Sequence, residues 1–261
     1  MIKSLYTAAT GMDAQQTRIS VISNNIANVT TAGFKQSGTV FQDLLYQNIS
    51  TAGTESATGV ISPAGLQIGS GVKVVSTPSV HSQGLLEQTS RSLDVAIEGE
   101  GFFQVSLPSG ESAYTRLGSL AINANGELVT QGGYAIEPAI SGLSGATELR
   151  IGTDGVITGY APGSAAITNF GQINIATFPN ASGLKAIGQT MYQETAASGT
   201  PTQGIPGTNG AGTLSQGFLE GSNVNIADEL VKMILAQRSF ELNSKVIRTS
   251  DDMMAAANQL R

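Results

Sequence analysis

The chain has 261 residues, enough for one large domain or two smaller ones with a hydrophobic core. Only 12% of the residues are charged, about half of the usual share, and the net charge is −6 without a basic cluster, which argues against a nucleic-acid partner. The absence of cysteine excludes disulfides and thiolate metal sites.

An apolar heptad pattern runs through the first thirty residues. Its positions alternate four and three residues apart and are Met1, Leu5, Ala8, Met12, Gln15, Ile19, Ile22, Ile26 and Val29. This spacing is typical of a coiled-coil helix, because apolar residues repeating every seven positions form one seam along the helix.

A second heptad pattern occupies the C-terminal end, where residues 222–261 contain neither Gly nor Pro. Asn225 is the predicted N-cap. The apolar positions recur every seventh residue at Ile226, Met233, Phe240, Ile247 and Met254, and the neighbouring Leu230, Leu235, Leu242 and Val246 widen the apolar face. We expect a long amphipathic helix.

Each of these helices, taken alone, could simply pack on the core of its own domain. Two apolar helices at opposite ends of a Gly- and Pro-rich middle favour a different interpretation. In that interpretation they pair with each other and with the helices of neighbouring subunits. Because a helix gains most of its stability from packing, we expect frayed ends in the monomer and ordered ends in an assembly.

The middle of the chain shows β patterns. Apolar residues alternate with polar ones over residues 93–107 and 173–177. Asn125-Gly126 and Asp154-Gly155 each separate two short alternating runs, which predicts two hairpins. We interpret residues 196–216 as a Gly- and Ser-rich linker and residues 30–75 as extended or irregular.

The predicted fold class is α+β, with terminal helices forming a coiled-coil inner domain, extended connecting segments and a central β-rich outer domain. The helical domain comprises residues 1–30 with 222–261. The connecting region comprises 31–75 with 196–221, and the outer domain comprises 76–195.

We find no catalytic, cofactor-binding or metal-ligating constellation in the sequence. The one histidine, His81, has serines beside it but lacks a nucleophile elbow or an acidic partner motif, so a structural role is favoured. A β-rich secreted enzyme or binding module with incidental helices stays open as a hypothesis. It would require a pocket with convergent polar groups.

Three segments resemble the signatures of flagellar basal-body rod and hook proteins. They are Ser23–Lys35, Asp94–Phe103 with Tyr114–Arg116, and Gly217–Asn225 continuing to Glu241. Residues 41–72 and His81–Gly84 resemble the distal rod members of that family most. The motif residues that we single out are Asn24, Asn25, Asn28, Gly33, Phe34, Asn223, Asn225, Gln237 and Arg238.

The resemblance implies a structural subunit, not an enzyme, without a cofactor. Such subunits polymerise into a hollow, rigid helical shaft in the periplasm that transmits motor torque to the hook and lets exported subunits pass. The implied partners are further copies of the chain, proximal rod and hook subunits, ring proteins, the export apparatus and the rod cap, with no nucleic acid.

The first residues lack the regions of a secretory signal, and the implied flagellar route uses no cleaved signal. Residues 41–72 argue against the alternative within the family, a proximal rod or hook subunit. The seam residues expected to carry assembly are Leu5, Met12, Ile19, Ile22, Ile26, Ile226, Leu230, Met233, Phe240, Ile247 and Met254.

Overall fold

The structure, a computed structural model, describes residues 2–51, 53, 55–57, 60–61, 64–163 and 166–259. Met1, the first position of the heptad pattern, and Arg261, the end of the predicted helical domain, lie outside the described residues. The chain divides into two compact units. Unit 1 comprises Met1–Ile26, Ser37–Pro78 and Asn225–Arg261, and unit 2 comprises Ala27–Gln36 and Ser79–Val224.

Unit 1 contains the long helix α2 (Ile226–Gln259) and all of the long helix α1 (Ile2–Ala27) except its last residue. Asn225 caps α2, since its Oδ1 accepts the backbone N–H of Ala227 at 3.0 Å. The acidic residues Asp228 and Glu229 follow in the first turn, where the helix dipole favours negative charge. Within the described residues, neither helix combines the length and apolarity that crossing a membrane requires.

Unit 1 also contains a ladder of antiparallel strands. The outer pair joins β1 (Val40–Asp43) to β6 (Val72–Ser76), the next pair joins β2 (Tyr46–Ser50) to β5 (Leu66–Gly69), and the inner pair joins β3 (Glu55–Ala57) to β4 (Val60–Ile61). The backbone is more regular here than the weak periodicity predicted. Most of these side chains in β1, β2 and β5 are exposed, so no alternation marks the strands in the sequence.

Unit 2 is rich in short strands. In chain order they are β7 (Leu86–Gln88), β8 (Val95–Glu98), β9 (Phe102–Ser106), β10 (Ser112–Thr115), β11 (Leu120–Ile122), β12 (Leu128–Thr130), β13 (Ala135–Glu137), β14 (Thr147–Ile151), β15 (Val156–Tyr160), β16 (Ile167–Gln172), β17 (Ile175–Thr177), β18 (Lys185–Gly188), β19 (Met191–Gln193), β20 (Thr202–Gly204), β21 (Thr213–Gln216) and β22 (Phe218–Glu220). A 3₁₀ turn covers Ala181–Gly183. With the two helices of unit 1, these strands confirm the α+β class.

The largest sheet of unit 2 has β9 at its centre. Its order is β11-β12-β13-β9-β10-β19-β18, and β17 pairs with both β9 and β20. Phe103 and Val105 of β9 belong to the larger apolar cluster, whereas Phe102 belongs to a smaller cluster with Tyr114 and Tyr192. The strand is therefore buried on both faces, because successive side chains point to opposite sides.

Both predicted hairpins are confirmed. Around Asn125-Gly126, β11 pairs with β12, and Gly126 adopts a φ of 77° that favours glycine. Around Asp154-Gly155, β14 pairs with β15 in the same way. Short-range turn chemistry therefore identified both turns.

The expected linker at residues 196–216 contains strands instead. β20 pairs with β17, and β21 pairs with β8 in a register that sets Leu214 opposite Ile97. Leu214 is fully buried in the larger apolar cluster. The smaller sheets complete unit 2, namely β14-β15-β16 and the pair β22-β7.

Candidate assembly site

The two long helices of unit 1 run side by side in opposite directions. At one end, Asn25 Nδ2 donates to Glu229 Oε2 at 3.1 Å. Further along, a Cβ added at Gly11 would lie 2.8 Å from Asn243 Nδ2. The two contacts are two heptads apart in both helices, which fixes the antiparallel alignment. Coiled-coil packing along the whole length stays a prediction.

The predicted seam residues fall into three classes of burial. Ile22 is buried on α1. Leu5, Met12, Ile19 and Ile26 on α1, with Met233, Ile247 and Met254 on α2, are half-buried. Ile226, Leu230 and Phe240 on α2 are exposed. The structure thus covers most of the predicted α1 seam and leaves part of the predicted α2 seam uncovered.

The buried face of α2 consists of small and polar residues. Its most buried positions recur every seventh residue at Glu229, Ala236 and Ser250, and Asn243 of the same series is half-buried. The Asn243 side chain of this face packs close to the backbone of α1 at Gly11, where an added Cβ would leave too little space. The helix therefore packs within unit 1 through the small side of its heptad pattern.

A stripe of large apolar side chains on α2 is left exposed. It consists of Val231, Leu235, Leu242, Val246 and Met253, which are between 44% and 63% exposed. At 3.6 residues per turn these five positions lie within about 60° of one another and about 100° round the helix axis from the buried face. The stripe is about 33 Å long. We call it the α2 stripe.

Asn25, from the N-terminal family motif, fastens the end of α1 to the following segment. It is buried, its Nδ2 donates to Ser37 O at 2.9 Å, and its Oδ1 accepts Ser37 N at 3.0 Å. Together with the bond to Glu229, the amide side chain is satisfied at both of its ends. Glu229 also accepts Lys232 Nζ at 2.6 Å.

Asn223 and Gly33 have equally specific places in unit 2. Asn223 Oδ1 accepts Gln36 N at 2.7 Å, and its Nδ2 donates to Val80 O at 2.8 Å. Gly33 has a φ of 72°, and a Cβ there would lie 3.0 Å from Leu117 N. Only glycine suits that backbone.

The other motif residues have looser surroundings. Asn28 accepts Thr31 Oγ1 at 3.2 Å just beyond α1, and Phe34 is half-buried. Asn24 and Gln237 are exposed on their helices, and Arg238 forms an exposed ion pair with Glu241 at 2.9 Å. The motif therefore mixes side chains that fasten the fold with side chains that face solvent.

His81 lies among aromatic rings of unit 2. Its ring meets Phe102 and Tyr192 edge-on, with centroids 5.4 and 5.1 Å away. Burial, followed by the nearby Lys35 and Arg116 cations, lowers the pKa of His81 to about 4. The imidazole is therefore neutral at pH 7 and packs as an aromatic group. Among the described residues, no group of three or more His, Asp or Glu side chains could hold a metal ion.

The sequence patterns did not identify Glu220, Lys35 and Arg116 as functional residues, although all three lie within the family motifs. They form a buried charged cluster in unit 2. Three charged residues inside motifs of a charge-poor chain are a signal that could have identified them. Val231 and Met253 of the α2 stripe were also missed.

Three family models match the chain at the segments that contain these features. A model for flagella basal body rod proteins matches residues 5–35, one for the D1 domain of the flagellar hook protein FlgE/F/G matches 96–159, and one for the C-terminal part of flagellar basal body rod FlgEFG proteins matches 215–260. Together they contain most of the residues that carried the resemblance noted in the sequence.

Full-length relatives agree with these matches. The chain is 52% identical to the flagellar basal-body rod protein FlgG of Buchnera aphidicola (subsp. Acyrthosiphon pisum) and 46% identical to FlgG of Caulobacter vibrioides, each over 100% of both chains. It is 40% identical to FlgG of Bacillus subtilis over 97% of both chains. The chain therefore belongs to the FlgG family of flagellar basal-body rod proteins and is a structural subunit of the rod in the basal body.

Proposed function

We propose that copies of this chain polymerise through the α2 stripe into the distal rod, a hollow, rigid helical shaft that transmits motor torque to the hook. The exposed α2 stripe is the observation that carries the proposal. A rod subunit must contact further copies of itself, and a long apolar helix face is suited to a helix of another copy.

The size of the stripe indicates how many contacts a subunit needs. Covering a half-exposed Leu, Val or Met stabilises a complex by about 1 kcal/mol, so one stripe supplies about 5 kcal/mol. Association itself costs about 4–15 kcal/mol. One stripe alone does not hold a subunit firmly, so stable assembly requires several neighbours per subunit. A helical array provides them.

The proposal includes the domain roles expected from the sequence. Residues 1–30 with 222–261 form the inner helical layer around the channel, and residues 76–195 form the outer β domain. Residues 31–75 with 196–221 connect the two, and the strands β20, β21 and β22 of the second segment pair with strands of the outer domain. The subunit acts mechanically and carries no catalytic activity.

The proposed partners are further copies of the chain, proximal rod and hook subunits, and the ring proteins that surround the shaft. The export apparatus and the rod cap act during assembly. The proposed location is the periplasmic part of the basal body, reached by the flagellar export route. The family membership supports each of these partners and the location.

A substitution in the α2 stripe tests the proposal. Leu242 is exposed in the monomer, so Leu242→Asp should leave the monomer folded, as circular dichroism would show. In the assembly it places an unpaired charge in an apolar contact at every subunit. We expect basal bodies from a strain that carries only this variant to lack complete rods in electron micrographs.

Two variants control for unrelated effects. Leu242→Met keeps the apolar contact and should give normal rods. Leu85→Asp places the same charge on an exposed leucine of unit 2 and should also give normal rods. Complete rods in normal number with Leu242→Asp would contradict the proposal.

A further inference from the structure

Glu220 lies at the centre of a buried charged cluster in unit 2, which we call the Glu220 cluster and which consists of Lys35, Arg116 and Glu220. Glu220 Oε1 pairs with Lys35 Nζ, and Glu220 Oε2 accepts Arg116 Nε at 2.9 Å. The side chains of Lys35 and Glu220 are fully buried, and that of Arg116 is 3% exposed.

The cluster joins segments that are far apart in the chain. Gly84 N donates to Glu220 Oε1 at 2.9 Å, and Gly33 N donates to Glu220 O at 2.7 Å. Lys35 Nζ also donates to Ser82 O at 2.7 Å. Through these hydrogen bonds and the ion pair, Glu220 connects residues 33–35, residues 82–84 and the end of β22.

Arg116 extends the cluster to a fourth segment. Its guanidinium donates to Gly99 O at 2.8 and 2.9 Å and to Gly101 O at 2.7 Å. These bonds anchor the cluster to the turn between β8 and β9, beside the main core. These segments are thereby bonded to the turn between two strands, β8 and β9, whose apolar side chains belong to the main core of unit 2.

The fastened segments are those at which the chain leaves and re-enters unit 2. The chain leaves after Gln36, re-enters at Ser79 and leaves again after Val224. Asn223 supplies a second tie at the same place, because its side chain bonds Gln36 N and Val80 O. All three places lie within a few residues of the cluster or of Asn223.

We infer that Glu220 is a positioning residue for assembly, which with Lys35 and Arg116 fixes the places at which the chain leaves and re-enters unit 2. A buried ion pair is a poor means of gaining stability alone, because well-packed apolar residues of similar volume are often at least as stable. A carboxylate that accepts hydrogen bonds from several segments specifies how those segments are positioned relative to one another. An apolar side chain cannot do this, because its contacts are not directional.

This inference rests on the proposed function, in which the segments outside unit 2 form the contacts between copies. Polymerisation repeats one geometry at every subunit, so an error in where these segments leave unit 2 recurs throughout the shaft. The cluster is buried within unit 2, so it contributes to assembly through the geometry that it gives to these segments.

Glu220→Gln in the full chain tests the inference, because it keeps the shape of the side chain and removes its charge. In the purified monomer we expect an unchanged circular dichroism spectrum. Amide exchange should become about tenfold faster or more at Gly84 and Gln36, because their local opening becomes easier. In cells carrying only this variant, complete rods should be lost.

Asp94→Asn is the matched control. Asp94 is the other buried carboxylate among the described residues of unit 2, where it accepts a hydrogen bond from Ser119 Oγ at 3.3 Å and lies 3.8 Å from Arg91 Nε. This variant should lower the thermal unfolding midpoint and leave both the exchange at Gly84 and the rods as in the parent. If both variants lose rods in proportion to the stability that they lose, the positioning role is wrong. Normal rods with Glu220→Gln would overturn it as well.

Asn223→Ala provides the test if Glu220→Gln does not fold. Its amide lies nearer the surface, so the fold should survive, and Gln36 N should exchange about tenfold faster or more. Complete rods should again be lost, and parent-like exchange with normal rods would overturn the inference.

The two proposals fail in different ways. If the α2 stripe variants assemble normally, the proposed contact fails, while the exchange at Gly84 and Gln36 still reports on the cluster. If the stripe variants block rods while Glu220→Gln and Asn223→Ala behave as the parent, only the positioning role fails.

Discussion

The buried amide of Asn25 gives the sharpest stability prediction. Asn25→Ala removes three hydrogen bonds, two with the backbone of Ser37 and one with Glu229. Each contributes about 1 kcal/mol, while alanine regains about 0.5 kcal/mol of helix propensity. We therefore expect the free energy of unfolding to fall by about 2–3 kcal/mol, measured by urea denaturation of the monomer. Exchange of the Ser37 amide, which loses its acceptor, should accelerate in the same variant.

Gln16→Ala is the control, because Gln16 lies on the same helix and is exposed. Alanine gains helix propensity there as well, and surface substitutions usually change stability by less than about 0.5 kcal/mol. If Asn25→Ala also changed the free energy of unfolding by less than about 0.5 kcal/mol, the hydrogen-bond account of this motif residue would be refuted.

Three further predictions address unit 2 and the helix seams. Gly33→Ala places alanine at a positive φ and brings its Cβ against the Leu117 backbone. This variant should lower the free energy of unfolding by about 1–3 kcal/mol, measured by thermal unfolding. The pKa of His81 is about 4 in the folded chain against an ordinary 6.5, so between pH 6.5 and pH 4 the unfolded chain binds more protons than the folded chain. The free energy of unfolding should therefore fall by at most about 3 kcal/mol as the pH drops through that range. His81→Phe should flatten this part of the pH profile, and an unchanged profile would contradict the assignment. Phe240→Asp and Ile19→Asp each place a charge in a predicted seam and should remove complete rods from isolated basal bodies, whereas motile cells with normal rods would count against the seam.

The antiparallel pair of helices shows how far the heptad pattern reaches. The spacing predicted both helices, and the positions of Ile22 and Met233 agree with a seam that is at least partly covered. The same pattern places Ala236 and Ser250 at small or polar seam positions beside the apolar ones, but it did not predict that they would be more buried than the large apolar residues of α2. The apolar pattern of α2 is wide enough to contact two neighbouring helices, so the sequence does not tell which face of the helix packs within unit 1. Only the tertiary structure shows which face is buried there.

The Glu220 cluster is a feature that sequence periodicity could not predict. Lys35, Arg116 and Glu220 are separated by scores of residues, and no local spacing relates them. Their pairing depends on the antiparallel register of strands that bring distant segments together. Periodicity reports only on neighbours within one element, so such a cluster is invisible to it.

The sequence alone determined the terminal helices, the β-rich middle, both hairpin turns and the rod family. These follow from interactions among residues close in the chain, or from motifs whose Asn and Gly residues stand at fixed offsets. Only the tertiary structure decided the strand ladder of residues 40–76, the strands within residues 196–216, the exposed α2 stripe and the Glu220 cluster. Each of these depends on which distant segments pair and which faces they cover, because burial and register are set by the whole fold and not by a local pattern.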